Sequence, residues 1–322
     1  MPIFQPRPYG GEADLPSIVA LIDACEDVDK LDRRTSIEEL RGEIEAPGVD
    51  PERDLRLWHD QTGRLIGWGQ LAIPEHGETV DGRFWMRIDP AVRNNGLESE
   101  IMAWVERRVR EVAQRRQKPA QLLTGARDDQ GDRLQLLDQW GFTPTRYFFT
   151  MRRSLELPIE QSQLPPGFTM RQFQPGPDDE EWIELGNLAF REHWNHHDST
   201  GQDLQYELTA PHFRPDLYQL ALAPDGTFAA YCQCEIMQEQ NERSRRAEGF
   251  VLGLGTHPRF RKLGLGRALL LNGLQQLKAA GMTTALISVD AENASGALKL
   301  YESAGFRTFE TWIMLHKPLQ PT

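Results

Sequence analysis

A basic, glycine-containing segment in the second half of the chain has the residue types needed to hold a pyrophosphate. It runs from Thr256 to Arg267, after the apolar run Phe250–Leu254 and before a stretch with helical periodicity. Glycines let the backbone approach a ligand, and the N–H groups of a helix's first turn point at a bound anion. The pattern therefore predicts a strand, a phosphate-binding loop and a helix, with the phosphates held by Arg261, Lys262, Leu263, Gly264, Leu265, Gly266 and Arg267.

The bulk composition excludes several function classes. The chain has 322 residues, enough for two domains, and its net charge of -12 argues against nucleic acid as a partner. No apolar run approaches the roughly 18 residues of a membrane span, and the first residues do not have the pattern of a secretion signal. The three cysteines Cys25, Cys232 and Cys234 are too few for a disulfide framework, so we expect a cytoplasmic protein with small buried thiols.

The sequence contains two copies of one pattern. The segment Asp89–Glu98 lies 168 residues before His257–Gly266, and the two share a proline, an arginine and a glycine. Each copy follows an apolar run and precedes a long amphipathic stretch, 99–116 in the first copy and 267–280 in the second. We therefore predict two tandem domains, 1–153 and 168–322, joined by a proline-rich linker at 154–167.

The order of elements predicts the fold class. Each copy reads as strand, helix, a run of strands, loop and helix, strand, helix and strand, which indicates an α/β (α+β) architecture with a mixed central sheet flanked by helices. In the second copy, 217–223 and 227–237 are predicted to form a hairpin. Residues 285–290 are predicted as a strand, 295–304 as a helix and 308–316 as a last strand.

The second copy resembles the GNAT superfamily of acyl-CoA-dependent N-acyltransferases. The resemblance rests on a series of motifs in order, namely Arg261-x-x-Gly264-x-Gly266 after a strand, then Asn293, then Gly296 to Phe306 with Tyr301 inside it. These motifs lie within 248–306. The tandem arrangement resembles the two-copy acetyltransferases of the mycothiol synthase type, and this similarity covers most of the chain.

The resemblance implies a role for each element. Backbone groups of Leu254 and Thr256 would pair with the pantetheine arm of acetyl-CoA at a bulge, and Asn293 would bind the same arm. Tyr301 would donate a proton to the departing thiolate, because a phenol keeps its proton at neutral pH. A helix residue packed on the sheet is the structural alternative for Tyr301.

The base that deprotonates the acceptor amine has three candidates. Glu248, on the strand before the phosphate loop, is the first, although related tandem sequences carry their glutamate where this chain has Phe250. Glu248 could equally be a solvated strand end. Glu235 on the neighbouring strand and His193 are the reserves.

The histidine-rich segment 190–198 lies where the family places acceptor contacts. We expect His193 and Trp194 to line the acceptor pocket. A metal bound by His193 and His197, four residues apart, is a weaker alternative because the sequence offers no third ligand, and a solvent-exposed turn is another. We predict no metal cofactor.

The first copy is predicted to have lost activity. Glu98 stands at the position of Gly266, where its carboxylate would repel a pyrophosphate. Leu137 stands at the position of Tyr301, and Asp129 at that of Asn293. Retained Arg93 and Gly96 leave weak coenzyme A binding open.

The sequence thus predicts an N-acetyltransferase that moves an acetyl group from acetyl-CoA directly to a primary amine of a small molecule or peptide, in its C-terminal domain. A non-catalytic acyl-CoA-binding regulatory or scaffold protein is the alternative. We expect a monomer, with a homodimer left open, and no membrane partner.

Overall fold

The chain forms two compact units. The computed structural model describes residues 4–31, 34–46, 48–75, 77–194, 196–210, 212–293 and 296–320. The N-terminal unit comprises Met1–Thr145 with Ile313–Thr322, and the C-terminal unit comprises Arg146–Trp312.

The N-terminal unit alternates strands and helices. In chain order, its elements are β1 (Gln5–Pro8), α1 (Leu15–Asp29), α2 (Ile37–Glu45), α3 (Pro51–Asp54), β2 (Leu55–His59), β3 (Leu65–Ala72), β4 (Val80–Ile88), α4 (Leu97–Arg116), β5 (Ala120–Arg127) and α5 (Gly131–Gln139). Strands β1 to β4 pair antiparallel in sequence order, and β4 pairs with β5 in parallel.

The C-terminal unit repeats this order. It contains β6 (Thr143–Ser154, from Arg146 onward), β7 (Thr169–Gln172), α6 (Asp179–Phe190), α7 (Gly201–Leu208), β8 (Tyr218–Leu222), β9 (Phe228–Glu235), α8 (Gln238–Ser244), β10 (Glu248–Thr256), α9 (Leu265–Ala279), β11 (Thr284–Asp290), α10 (Ala297–Ser303) and the first residues of β12 (Arg307–Leu319). Its sheet order is β6-β11-β10-β9-β8-β7, with β10 and β11 parallel. The predicted mixed sheets flanked by helices are confirmed. Ser295, where the helix of 295–304 was predicted to begin, lies outside the described residues.

The boundaries of the units fall inside strands β6 and β12. Ser154, the first residue of the predicted linker 154–167, ends β6, and residues 155–168 form no helix or strand. Strand β6 nevertheless pairs with β11 in the C-terminal unit, and the end of β12 belongs to the N-terminal unit. The predicted domains 1–153 and 168–322 describe the sequence repeat, and as such they stay a prediction.

Matching ion pairs make the repeat visible in the structure. Arg7 donates to both carboxylate oxygens of Asp14 at 2.7 and 2.5 Å, and Arg171 does the same to Asp178 at 2.5 and 2.8 Å. Each carboxylate also accepts a backbone N–H four residues earlier, at 2.8 Å in the first copy and 2.7 Å in the second. Asp14 therefore ties β1 to the turn before α1, and Asp178 ties β7 to the turn before α6.

The core beneath the phosphate loop is tightly packed. Helix α9 buries its leucines fully, and Cys232 and Cys234 of β9 lie beneath it as small buried thiols. A Cβ atom on Gly273 of α9 would lie 2.8 and 2.9 Å from the two sulfur atoms. Glycine at this position lets α9 approach the sheet and fixes the start of the helix relative to β10.

No helix among the described residues is long and apolar enough to cross a bilayer.

Candidate functional site

Strand β10 leaves its parallel neighbour partway along its length. Its described ladder with β11 spans Glu248–Val251, whereas its ladder with β9 continues to Thr256. A register shift between Val251 and Gly253 marks a bulge in the ladder with β9. A bulge bends a strand and leaves backbone groups unpaired, so Leu252 to Thr256 offer an edge to which an extended arm can bind.

The loop after β10 is shaped to hold an anion. Lys262 has φ of +65° and Gly264 has φ of +89°, and α9 begins at Leu265. The Ala268 N–H donates to the Gly264 carbonyl at 3.1 Å, which starts the ladder of the helix. The amides of Leu265, Gly266 and Arg267 therefore precede the first intrahelical donor and point away from the helix. No side chain among the described residues caps this end.

Gly266 leaves open space at the centre of this cradle. A Cβ atom there would have Thr256 Oγ1 at 3.6 Å and Leu300 Cδ2 at 3.7 Å as its nearest neighbours, both at ordinary contact distance. Gly266 thus brings together three predicted site elements, namely the end of β10, the start of α9 and the helix α10 that carries Tyr301. The residues present fit a pyrophosphate bound through backbone amides.

The two predicted arginines flank the loop through contacts of their own. Arg261 donates to Glu192 Oε2 at 3.0 Å and to the Ala189 carbonyl at 3.2 Å. Arg267 donates to Glu160 at 2.7 Å and to Ser303 Oγ at 3.1 Å. Because both guanidinium groups are held by these contacts at the edge of the loop, the backbone amides are the groups at its centre that can bind an anion.

Tyr301 is buried on α10. Its side chain is 7% exposed and packs edge-on against Phe306, with ring centroids 6.1 Å apart. Burial, with the nearby Cys232, raises the pKa of Tyr301 above its usual 10. A buried phenol that keeps its proton is suited to donate that proton to a ligand.

His193 and Asn293 meet although 100 residues separate them. His193 Nε2 lies 3.5 Å from Asn293 Nδ2, and the imidazole lies against Phe190 with ring centroids 4.4 Å apart. Burial lowers the pKa of His193, so the ring is neutral at pH 7. Trp194 packs against Phe148 of β6, 6.2 Å between centroids. His193, a predicted acceptor residue, thus lies beside Asn293, a predicted cofactor residue, whereas Trp194 contacts Phe148.

Glu248 lies apart from the other predicted residues. It opens β10, opposite Thr284 of β11, and its nearest ion partner is Arg246 at 3.7 Å. Eight residues separate it from Thr256, a span of about 26 Å along an extended strand. Asn241 holds its backbone on both sides, accepting at 3.0 Å and donating at 2.8 Å.

Sequence reasoning named Glu235 as a reserve base but missed the polar network of which it is part, beside the bulge. The Glu235 carboxylate lies 2.7 Å from His212 Nε2, and Glu235 pairs with Phe250 of β10. Gln233 pairs with Gly253 and donates to Glu207 at 2.6 Å and to the Tyr218 hydroxyl at 3.0 Å. Burial raises the pKa of Glu207. The signal in the sequence is the alternation of β9, which places residues 231, 233 and 235 on one face of the strand.

In the N-terminal unit, the side chain of Glu98 occupies the matching loop. Glu98 is 6% exposed, and its carboxylate accepts the Asn94 backbone N–H at 2.7 Å. Asn94 corresponds to Lys262, so a side chain occupies the place where an anion would bind. The ladder of β3 with β4 also runs from Ile88 to Arg83 without the shift seen in β10. In the described residues of the N-terminal unit, the loop is therefore closed by Glu98, and the ladder of β3 with β4 has no bulge like that of β10.

Within the described residues, no group of three or more His, Cys, Asp or Glu side chains is arranged to hold a metal ion.

Comparisons with known proteins agree with this geometry. The sequence model of the Acetyltransferase (GNAT) family matches residues 180–306. Mycothiol acetyltransferase of Acidothermus cellulolyticus is 30% identical over 97% of this chain and 94% of its own, and that of Thermobispora bispora is 29% identical over 94% and 96%.

Solved structures give the same fold along the whole chain. A GCN5-related N-acetyltransferase from Sphaerobacter thermophilus superposes with a TM-score of 0.79 at 24% identity, covering 99% of this chain and 96% of that one. A tandem GNAT protein from the clavulanic acid biosynthesis pathway gives 0.76 at 14% identity with both chains fully covered. The predicted family, fold, acyltransferase activity and use of acetyl-CoA are confirmed. The chain belongs to the GNAT family of acetyltransferases.

Proposed function

We propose that the C-terminal unit transfers the acetyl group of acetyl-CoA directly to a primary amine of a small molecule or peptide. The observation that carries this proposal is the contrast between the two loops. In the second copy Gly266 leaves the cradle open, whereas in the first copy the Glu98 carboxylate closes it. One phosphate-binding loop per chain therefore supports one catalytic centre, beside Tyr301.

Acetyl-CoA would supply an activated thioester. The amides of Lys262 to Arg267 would hold its pyrophosphate, and the unpaired edge of β10, with Leu254 and Thr256, would hold its arm. Asn293 would orient the arm from the opposite side. Tyr301 would give its proton to the departing sulfur, a transfer that burial supports because it keeps the phenol protonated.

Position favours Glu235 over Glu248 as the group that takes the amine proton. Glu235 lies across from Phe250, two residues before the bulge, and its partner His212 can pass the proton onward. Glu248 is two further residues away from the bulge and contacts Arg246. His193, neutral at pH 7, stays the third candidate and lies beside Asn293.

The acceptor would be a cationic amine before it loses its proton. Glu207 on α7 and Glu235 on β9 lie beside the bulge and could attract such a charge. The curated relatives are named mycothiol acetyltransferases, so the acceptor of those enzymes is the first to test.

The test is an acetyl-transfer assay on the full chain with acetyl-CoA and a panel of amines, including the acceptor of the mycothiol acetyltransferases. Tyr301→Phe should lower kcat about 10²- to 10⁴-fold. Tyr9→Phe, which removes a hydroxyl from the N-terminal unit, is the matched control and should leave kcat unchanged. Equal activity of wild type and Tyr301→Phe would refute the assignment of this site.

A further inference from the structure

The N-terminal unit brings three guanidinium groups together near the Asp29 carboxylate. Arg93, in the loop before α4, donates to both oxygens of Asp29 on α1 at 2.6 and 2.8 Å, and its Nε donates to the Ile88 carbonyl at 3.2 Å. Arg87 lies on β4, next to Ile88, and its charge acts on Cys25 and on Arg133 of α5; Arg93 and Asp29 act on Arg133 as well. All three guanidinium side chains are half-buried.

Two of these cations have no ionic partner in the described part of the chain. Arg133 donates to the Gly125 carbonyl at 3.2 Å and to Thr124 Oγ1 at 3.3 Å, both neutral acceptors. Arg87 reaches the Met86 carbonyl at 3.4 Å, and its Nε is buried without a partner. Burial, and then the nearby charge of Arg87, lower the pKa of Arg133 to about 10.

The neighbouring thiol does not offset these charges. Cys25 donates to the Ile88 carbonyl at 3.2 Å, and burial raises the pKa of its thiol, so it is neutral at pH 7. Of the charges that act on Arg133, those of Arg87 and Arg93 are positive and that of Asp29 is negative. Groups of like charge inside a protein are retained at a cost to stability, and a bound counter-ion relieves that cost.

The catalytic copy has small residues where these side chains lie. Gly255 corresponds to Arg87, Ala297 to Arg133 and Ala189 to Cys25. The arginine at 93 is kept in the second copy as Arg261, so the N-terminal unit has two cations, Arg87 and Arg133, where the C-terminal unit has none at the matching positions. Glu98 also occupies the phosphate loop of the first copy, which leaves these arginines as the groups that suit a small anion.

We propose that the N-terminal unit binds a small dianion of the phosphate type between Arg87, Arg93 and Arg133. Two uncompensated charges match a dianion, and the planar guanidinium fork matches the oxygens of a phosphate group. The inference is independent of the catalytic role assigned to the other unit.

Calorimetric titration with inorganic phosphate tests this site, on the full chain and with coenzyme A at saturation so that the loop at Gly266 is occupied. We expect one phosphate per chain, bound at least about ten-fold more weakly by Arg133→Gln. Arg115→Gln, which removes an exposed arginine from α4, is the matched control and should bind like wild type. Failure of coenzyme A to bind would count against the proposed function of the C-terminal unit. It would not affect the comparison of phosphate binding between wild type and Arg133→Gln.

Thermal unfolding separates ligand binding from a structural role. Without phosphate, Arg133→Gln should unfold at the wild-type temperature or above it, because the substitution removes a repelled charge. Phosphate should raise the unfolding temperature of wild type and leave that of Arg133→Gln in place. A parallel titration with glycerol phosphate distinguishes a free ion from the phosphate of a larger ligand. No binding at millimolar phosphate, or equal binding by wild type and Arg133→Gln, would overturn the proposal.

Discussion

Gly266→Glu copies the first unit's residue into the second unit's loop and tests the central contrast between them. The new side chain fits, because a Cβ at this position meets nothing closer than 3.6 Å. We expect its carboxylate to accept the Lys262 N–H, as Glu98 accepts that of Asn94 at 2.7 Å. The glutamate carboxylate of the variant should then occupy the loop amides and prevent the pyrophosphate from binding there.

The size of the effect follows from charge and distance. A carboxylate about 4 Å from a phosphate oxygen costs about 4 kcal/mol at the effective dielectric constant of a protein surface. Each 1.4 kcal/mol changes an affinity about ten-fold, so acetyl-CoA should bind about 10³-fold more weakly. Stability should not fall, because a carboxylate in the first turn of α9 interacts favourably with the helix dipole.

Calorimetry with acetyl-CoA measures the loss, and two controls sharpen it. Gly266→Ala adds the Cβ without the charge and should lose less than ten-fold, within about 1.4 kcal/mol. Acetyl-pantetheine, which lacks the pyrophosphate, should bind wild type and Gly266→Glu alike. Undiminished acetyl-CoA binding by Gly266→Glu, or two equivalent sites in wild type, would refute the reasoning.

Three further predictions follow from the contacts of single side chains. Tyr301→Phe should lose kcat and keep its thermal stability, because the substitution leaves the buried ring and its contact with Phe306 in place. Wild type should keep its kcat up to pH 10, because the pKa of Tyr301 is raised. Glu235→Gln should lower kcat/KM by about 10²-fold or more, whereas Glu248→Gln should change it little; the reverse order would restore Glu248 as the base. The hydrogen bond with Arg7 lowers the pKa of Asp14 below its usual 3.8. Wild type should therefore be about 1 kcal/mol more stable than Asp14→Asn above that pH, and urea titrations should show the difference vanish as the pH falls below it.

The elements that position the loop were predictable from local patterns. Apolar runs, glycines and helical periodicity marked β10, α9 and α10, because each feature reflects a preference of the chain within a dozen residues. The cradle itself follows from Gly264 and Gly266, whose backbone freedom and lack of a side chain can be read directly. Tyr301 came from its place in a series of motifs, and burial of its ring agrees with that role.

Contacts between distant strands could not be predicted in the same way. Whether Glu235 lies near the bulge depends on the register of β9 against β10, and that register shifts by one residue at the bulge. A shift of one residue exchanges the two faces of a strand, so the sequence of β9 alone does not settle where the Glu235 carboxylate lies.

The arginine cluster shows how the two copies diverged by charge on one fold. Glu98 accepts the Asn94 amide in the loop, and Arg87 and Arg133 stand where the other copy has the small residues Gly255 and Ala297. Glycine at 98 would free that amide and still leave both guanidinium groups in place. We therefore expect Glu98→Gly alone not to give the first copy acetyl-CoA binding, whereas Gly266→Glu alone should remove it from the second copy.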